Sequence, residues 1–250
     1  MLEVRSLTQR FGGITALEDI SFAVAKGDIT GIIGPNGAGK TTLFNIVTGL
    51  YTQTAGAVLL NGKDISNLPP ERLAPLGLVR TFQNIELFGT MTVLENVMLG
   101  LHTRSSSGIL ACMAKMPWHL REERLIRKQA YEWLDFCGIS TLAEQKASNL
   151  PFGRGRFLEI ARAMAVNPSI MLMDEPAAGL NNRETGELAA LIRKIRAAGV
   201  TVVLVEHDME LVMDICDRII VLNLGKKLAE GTPRETQENP AVISAYLGEG

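Results

Sequence analysis

The sequence predicts an α/β protein with a mixed, mostly parallel core sheet, an antiparallel β lobe and a helical lobe. Three observations predict it. Apolar runs at Ile29–Ile33, Ser169–Met173 and Thr201–Val205 are each followed by a helical stretch, the pattern of buried parallel strands with crossover helices. Segments that alternate apolar with small or polar residues, Leu2–Leu7 and Ile20–Val24, precede the core and read as antiparallel strands. A stretch in the middle of the chain carries helical rather than strand periodicity. The core and β lobe are therefore expected at about 1–90 and 160–250, and the helical lobe at about 91–159.

Composition sets limits on function. The chain has 250 residues, with 46% hydrophobic and 21% charged, ordinary for a folded protein. Lys and Arg number 25 against 27 for Asp and Glu, so no positive field favours nucleic acid. No apolar run approaches the roughly 20 residues that cross a bilayer, and Met1–Arg5 lacks the pattern of a signal peptide. The expected location is the cytosol, unless a partner holds the chain at a membrane. Cys112, Cys137 and Cys216 form neither a disulfide framework nor a zinc pattern and are expected to be reduced and buried.

Taken in order, Lys26-Gly27-Asp28 turns the chain into the strand Ile29–Ile33. Arg10-Phe11-Gly12-Gly13 lies between the first two strands, and an exposed Phe11 ring there can stack on a base. After Ile33 comes Gly34-Pro35-Asn36-Gly37-Ala38-Gly39-Lys40-Thr41-Thr42, then a helix with Leu43, Phe44, Ile46 and Val47. Glycines let successive backbone N–H groups turn toward one anion, and the helix adds its positive N-terminal end. Lys40 reaches β- and γ-phosphates, and the Thr41 hydroxyl ligates Mg²⁺. This stretch implies a bound nucleoside triphosphate.

Ala57–Leu60 followed by Asn61-Gly62 is a strand with a hairpin signal, and Val79–Gln83 is a short strand ending in a polar residue that can reach a metal or a water. Ile85, Leu87 and Phe88 are apolar residues in a loop, which suggests a local core or a surface that meets another protein. Thr92-Val93-Leu94-Glu95 opens a helix with a capping box. Ser105–Gly108 marks a break, and Arg121–Cys137 places Leu125, Ile126, Ala130, Trp133, Leu134 and Cys137 on one face, with a Glu123–Arg127 pair on the other.

Leu150–Arg156, rich in glycine and arginine, precedes a helix stopped by Asn167-Pro168 and is a second candidate anion site. The strand Ser169–Met173 ends in Asp174-Glu175-Pro176. Two carboxylates at the end of a buried strand are costly unless they hold a metal or activate water, which assigns Asp174 to Mg²⁺ and Glu175 to the base. Asn182–Ala198 is an amphipathic helix closed by Gly199, and Thr201–Val205 leads to Glu206-His207-Asp208. The chain ends in strands at Ile219–Leu224 and Lys227–Glu230 and a helix through Leu247.

These pieces, in this order, resemble one ATP-binding cassette over nearly the whole chain, a phosphate-loop NTPase of the ABC type. The resemblance implies that Phe11 stacks on adenine, that Gln83 touches Mg²⁺ and reports to a transmembrane partner, and that His207 holds the γ-phosphate and attacking water. It also implies that Leu150, Gly153 and Arg154 face the nucleotide of a second cassette, with Ala178–Asn181 across that interface. Closer resemblance is to the ATPase subunits of bacterial branched-chain amino acid importers, carried by Arg80–Asn84, the helical insert with Trp118 and Trp133, Glu175–Asn181, Glu206–Met209 and Ala245–Glu249. Importers of urea or other amides and the lipopolysaccharide-exporting ATPase share several of these stretches. The resemblance implies ATP and Mg²⁺ as cofactors, permease subunits at the inner face of the cell membrane, and a binding protein that, with the permease, selects the substrate.

The chain departs from the family where Leu-Ser-Gly-Gly-Gln is usual and Leu150-Pro151-Phe152-Gly153-Arg154 stands. Pro151 has neither hydroxyl nor N–H, and a lost charge-assisted hydrogen bond is worth about 1.5–3 kcal/mol, roughly ten- to a hundredfold in rate. Gly153 retains its N–H and Arg154 offers a charge, while Pro151 also suits a helix start. A pairing with a second, non-identical ATPase subunit is therefore expected over a homodimer. A soluble cassette acting on ribosomes or DNA would bring two cassettes or a long coiled-coil insert. A small-molecule kinase would bring an acceptor-binding lobe. The sequence has none of these.

Overall fold

The computed structural model describes residues 1–83, 85–102 and 117–247. The chain divides into two compact units, Met1–Gln83 with Ser169–Gly250, and Asn84–Pro168. These limits are wider than the 91–159 expected for the helical lobe. The loop after Gln83 belongs with the helices because Asn96, fully buried, exchanges hydrogen bonds with both the N–H and the carbonyl of Phe88.

The first unit holds two sheets. β1 (Leu2–Phe11), β2 (Ile14–Val24), β4 (Ala55–Leu60) and β5 (Lys63–Asp64) form an antiparallel sheet in the order β2-β1-β4-β5. β3 (Ile29–Ile33), β6 (Leu78–Thr81), β7 (Ile170–Asp174), β8 (Thr201–Val205), β9 (Arg218–Asn223) and β10 (Lys226–Gly231) form the core sheet in the order β10-β9-β3-β8-β7-β6. All pairings in it are parallel except β10 with β9. β3, β7 and β8 are buried at every position, as continuous apolar strands covered on both faces must be.

Helix α1 (Lys40–Val47) lies between the two sheets. Its Leu43, Phe44, Ile46 and Val47 join one core with Leu7, Leu17 and Ile20 of the antiparallel sheet and Leu172, Val205 and Ile220 of the core sheet. The phosphate-loop candidate is thus fixed from two sides. Strands β1 and β2 run further than expected, to a pairing of Phe11 with Ile14, so Phe11 ends a strand rather than standing in a loop. The rest of the unit is α2 (Pro70–Leu73), α6 (Asn182–Ala197), α7 (Met209–Ile215), α8 (Pro233–Gln237) and α9 (Pro240–Leu247). Burial beside Asp217 and Glu206 pushes the Cys216 thiol up to about 12, so it stays protonated. Cys137 is likewise buried, and Cys112 lies outside the described residues.

The second unit is built on α3 (Val93–His102), α4 (Pro117–Phe136) and α5 (Phe152–Ala165). Thr92 and Glu95 close the expected capping box at 2.7 and 3.1 Å. Two expectations for α4 fail. Leu125 is 60% exposed, because the buried stripe follows Ile126, Ala130, Leu134 and Cys137, and a neighbour in sequence sits about 100° round the helix. Arg127 bonds Glu144 beyond the helix end at 2.6 Å, on the same oxygen that accepts from Tyr131, rather than Glu123. The expected break at Ser105–Gly108 lies outside the described residues. Among those residues no helix is long and apolar enough to cross a membrane.

Candidate functional site

Strand order puts the site at the C-terminal edge of the core sheet. β3 pairs with both β8 and β9, so the chain leaves it at a point where crossovers run in opposite directions, and ligands of open α/β sheets bind there. Residues 34–39 make the turn into α1. Gly34, Gly37 and Gly39 take φ of 152°, 76° and 101°, where a side chain is strained. At Gly34 a Cβ would come 2.1 Å from the Leu222 carbonyl oxygen, so the loop needs glycine for space as well as for dihedral. Gly39 is the left-handed N-cap of α1.

Lys40 is buried, and its ammonium donates to the carbonyls of Gly34 (2.5 Å) and Pro35 (2.9 Å). These bonds aim it back across its own loop. A cavity of about 450 Å³ opens here, and its lining includes Asn36, Gly37, Ala38, Gly39, Lys40, Thr41 and Thr42 together with Glu175 and His207. Pro35 reaches the site through its carbonyl alone. A triphosphate fits this lining of backbone donors, one buried ammonium and two hydroxyls.

Register delivers the remaining groups. Asp174 is paired with Val205, so Glu175 falls beside Glu206 and His207, and Thr81 paired with Met173 brings Gln83 to the same edge. Gln83 Nε2 donates to Glu175 Oε2 (2.6 Å), and His207 Nε2 lies 3.0 Å from Glu175 Oε1. Three residues separated by up to 124 positions thus meet on one carboxylate. Glu175 itself has φ 46°, left-handed for a non-glycine residue, and its N–H donates to the Val205 carbonyl at 2.9 Å. Asp208 caps α7 by accepting from the Leu211 N–H (3.0 Å), which fixes the turn bearing His207.

Asp174 is buried with one oxygen, Oδ2, held by Arg80 at 2.5 Å. Arg80 also donates to Asn45 (2.8 Å) and Thr48 (3.0 Å) of the α1 end and lies over the Phe82 ring. No cluster of three His, Cys, Asp or Glu side chains stands ready for a metal among the described residues. Mg²⁺ takes one or two carboxylates and completes its shell with phosphates and water, and Thr41, Asp174 and Gln83 carry hard oxygen donors of the kind it takes.

Leu150, Gly153 and Arg154 belong to the second unit, at the start of α5, where Pro151 is the N-cap and the Arg154 guanidinium lies over the Phe157 ring. Phe11 is half exposed at the end of β1 and meets Tyr51 edge-on at 5.6 Å. Ile14, which pairs with Phe11, and Leu224 line the cavity, both highly exposed. Sequence reasoning missed them because exposed aliphatics carry no signal of their own. It also missed Glu206, whose buried carboxylate accepts from the N–H groups of Ala177 (2.7 Å), His207 (2.9 Å) and Asp208 (3.3 Å). Burial, reinforced by Asp208, pushes the Glu206 carboxyl above its ordinary value despite those donors.

A strand–glycine loop–helix with paired carboxylates and a histidine at the same sheet edge defines an ATP-binding cassette, and the comparisons agree. A family model described as ABC transporter matches residues 17–178, and one described as branched-chain amino acid ATP-binding cassette transporter matches residues 226–250. The chain belongs to the ABC transporter ATP-binding family. It is similar to the high-affinity branched-chain amino acid transport ATP-binding protein BraF of Pseudomonas aeruginosa, 47% identical over 250 residues, covering 100% of this chain and 98% of that one. LivG of Salmonella typhimurium, with the same description, is 46% identical over the same shares. Among solved structures, the ADP conformation of an ATP-binding cassette of an ABC transporter has a TM-score of 0.86 at 34% identity, covering 99% of this chain and 98% of that one.

Proposed function

We propose that the chain is the ATP-hydrolysing subunit of a membrane importer for branched-chain or other hydrophobic amino acids. The observation that carries the reading is Glu175 in contact with His207 at 3.0 Å in a cavity that the phosphate loop and Lys40 also line. In this reading Glu175 takes the proton of the attacking water, His207 holds that water and the γ-phosphate, and Lys40 turns from its loop carbonyls to the phosphate oxygens. Phosphoryl transfer of this kind is mostly positioning and electrostatics. Bound Mg²⁺, held by Thr41, Asp174 and Gln83, would neutralise charge on the β- and γ-phosphates. Gln83 and His207 take one oxygen of Glu175 each, so a reactive geometry requires water to replace one of these contacts. Ile14 and Leu224 in the lining, with Phe11 paired to Ile14 across β1 and β2, offer apolar surface for the flat face of a base.

Partners follow the same reading: permease subunits that seat the chain on the inner membrane face, a binding protein upstream, and a second ATPase subunit. Pro151 at the N-cap, with no N–H to offer, supports a non-identical partner. Ile85 and Leu87 pack at Gly155, while Phe88 is exposed beneath Arg162, making Phe88 the group best placed for the permease. The test is Glu175→Gln. It should keep ATP affinity and lose at least about a hundredfold in turnover, the range of a general base. Captured from native membranes with ATP, it should bring two permeases and a second cassette. Near-normal turnover, or capture of ribosomal proteins in place of permeases, overturns the reading.

A further inference from the structure

Glu206 is a buried carboxylate that the reaction above does not use. Asp174 has Arg80 and Glu159 has Arg156, but Glu206 meets only backbone N–H groups among the described residues. An anion without a cation in the interior is costly, and an apolar residue at the end of β8 would close the core more cheaply. What the carboxylate does is span two loops. One oxygen takes the Ala177 N–H, two residues beyond Glu175, and the other takes the N–H groups of His207 and Asp208.

The span has a geometric consequence. Glu175 is held left-handed and is fastened to the β8 end on both sides, directly by its own N–H to the Val205 carbonyl and beyond it by Ala177 to Glu206. His207 is fastened to the same carboxylate through its N–H. One side chain therefore ties together the backbones of the two loops that carry the groups around the attacking water. The Asp208 cap holds only the far side of the His207 turn and says nothing of its distance from Glu175.

We propose that Glu206 is a positioning residue whose carboxylate sets the spacing between Glu175 and His207. The proposal rests on the hydrolytic role given above to those two residues. Glutamine in place of Glu206 keeps one acceptor oxygen and turns an amide N–H₂ toward a backbone N–H, so one of the two loops is released. Aspartate keeps both oxygens but is one methylene too short to reach both loops.

The test uses the full-length chain in its assembled transporter. Glu206→Gln and Glu206→Asp should each lower kcat about tenfold or more with KM changed by less than about twofold, since displacements near 1 Å cost on the order of a hundredfold in rate. ATP affinity of the isolated chain should be unchanged. A residue needed only for folding would depress nucleotide binding and melting temperature with kcat. A double-mutant cycle supplies the readout that packing would not move. In a His207→Ala background, where there is no imidazole left to place, Glu206→Gln should cost no more than about a third of its fold-loss in the wild type. An equal fold-loss in both backgrounds, or kcat within about twofold of wild type for both variants, overturns the proposal. Absence of ATP turnover in the wild type would instead remove the hydrolytic reading itself, and this role with it.

Discussion

Replacing Arg80 with methionine tests how the site is held together. The Arg80 and Asp174 side chains are 7% and 8% exposed, so their ion pair is desolvated on both sides. Methionine fills much of the same space but removes the guanidinium, with its bonds to Asp174, Asn45 and Thr48. Removing one partner of a buried pair leaves an uncompensated charge and costs about 3–5 kcal/mol. For a chain of this size each kcal/mol lowers the melting temperature by about 2–4 °C, so the expected fall is roughly 6–20 °C. The assay is thermal unfolding of the purified chain, followed by the same measurement on Arg80→Met combined with Asp174→Asn. The second change removes the stranded charge and should recover a large part of the loss. A fall below about 3 °C, or a double variant no more stable than Arg80→Met, would refute the claim that charge pairing rather than packing fixes Arg80.

Two further outcomes follow from the same site. Gly34→Ala puts a methyl 2.1 Å from the Leu222 carbonyl at φ 152°, whereas Gly37→Ala at φ 76° has nothing within 4 Å; the first should lose soluble protein or nucleotide binding, the second only the backbone cost of about 1–2 kcal/mol, and equal effects in thermal and nucleotide-binding assays would contradict the clash. Glu206 has its carboxyl raised in the folded state, so as pH rises above the ordinary glutamate value of about 4.3 the unfolded chain gives up this proton before the folded one does. Folded protein then holds the extra proton and stability falls through that window, staying reduced above the raised value. The Glu206→Gln difference curve of melting temperature against pH should climb across it, and parallel curves would show that Glu206 does not titrate this way.

The parts of the fold that were legible in sequence are those written in contiguous residues. Ile29–Ile33 and Thr201–Val205 are too apolar to be anything but buried strands, and residues 34–42 carry the glycine spacing of a phosphate cradle in one stretch. Caps were equally readable, because Thr92 with Glu95 obeys a three-residue rule. Errors arose where one face had to be told from the next. Leu125 and Ile126 are both apolar, and only packing against neighbouring helices decided which of them is buried.

What sequence could not give was pairing across the sheet. Asp174 and Glu175 announced a costly pair of carboxylates, but nothing near them in sequence says that Arg80, 94 positions earlier, neutralises one of them, or that Gln83 and His207 share the other. Glu206 shows the same limit from the opposite side. In sequence it is one acidic residue before a histidine, and solvent would be the natural place for it. It is buried because β7 and β8 run in parallel, with Asp174 level with Val205, so that both loops leave the sheet at the same height and converge on one side chain. A motif records which groups a reaction needs; strand register decides which other residues must hold them, and it is these holding residues, Arg80 and Glu206, whose substitution separates positioning from chemistry.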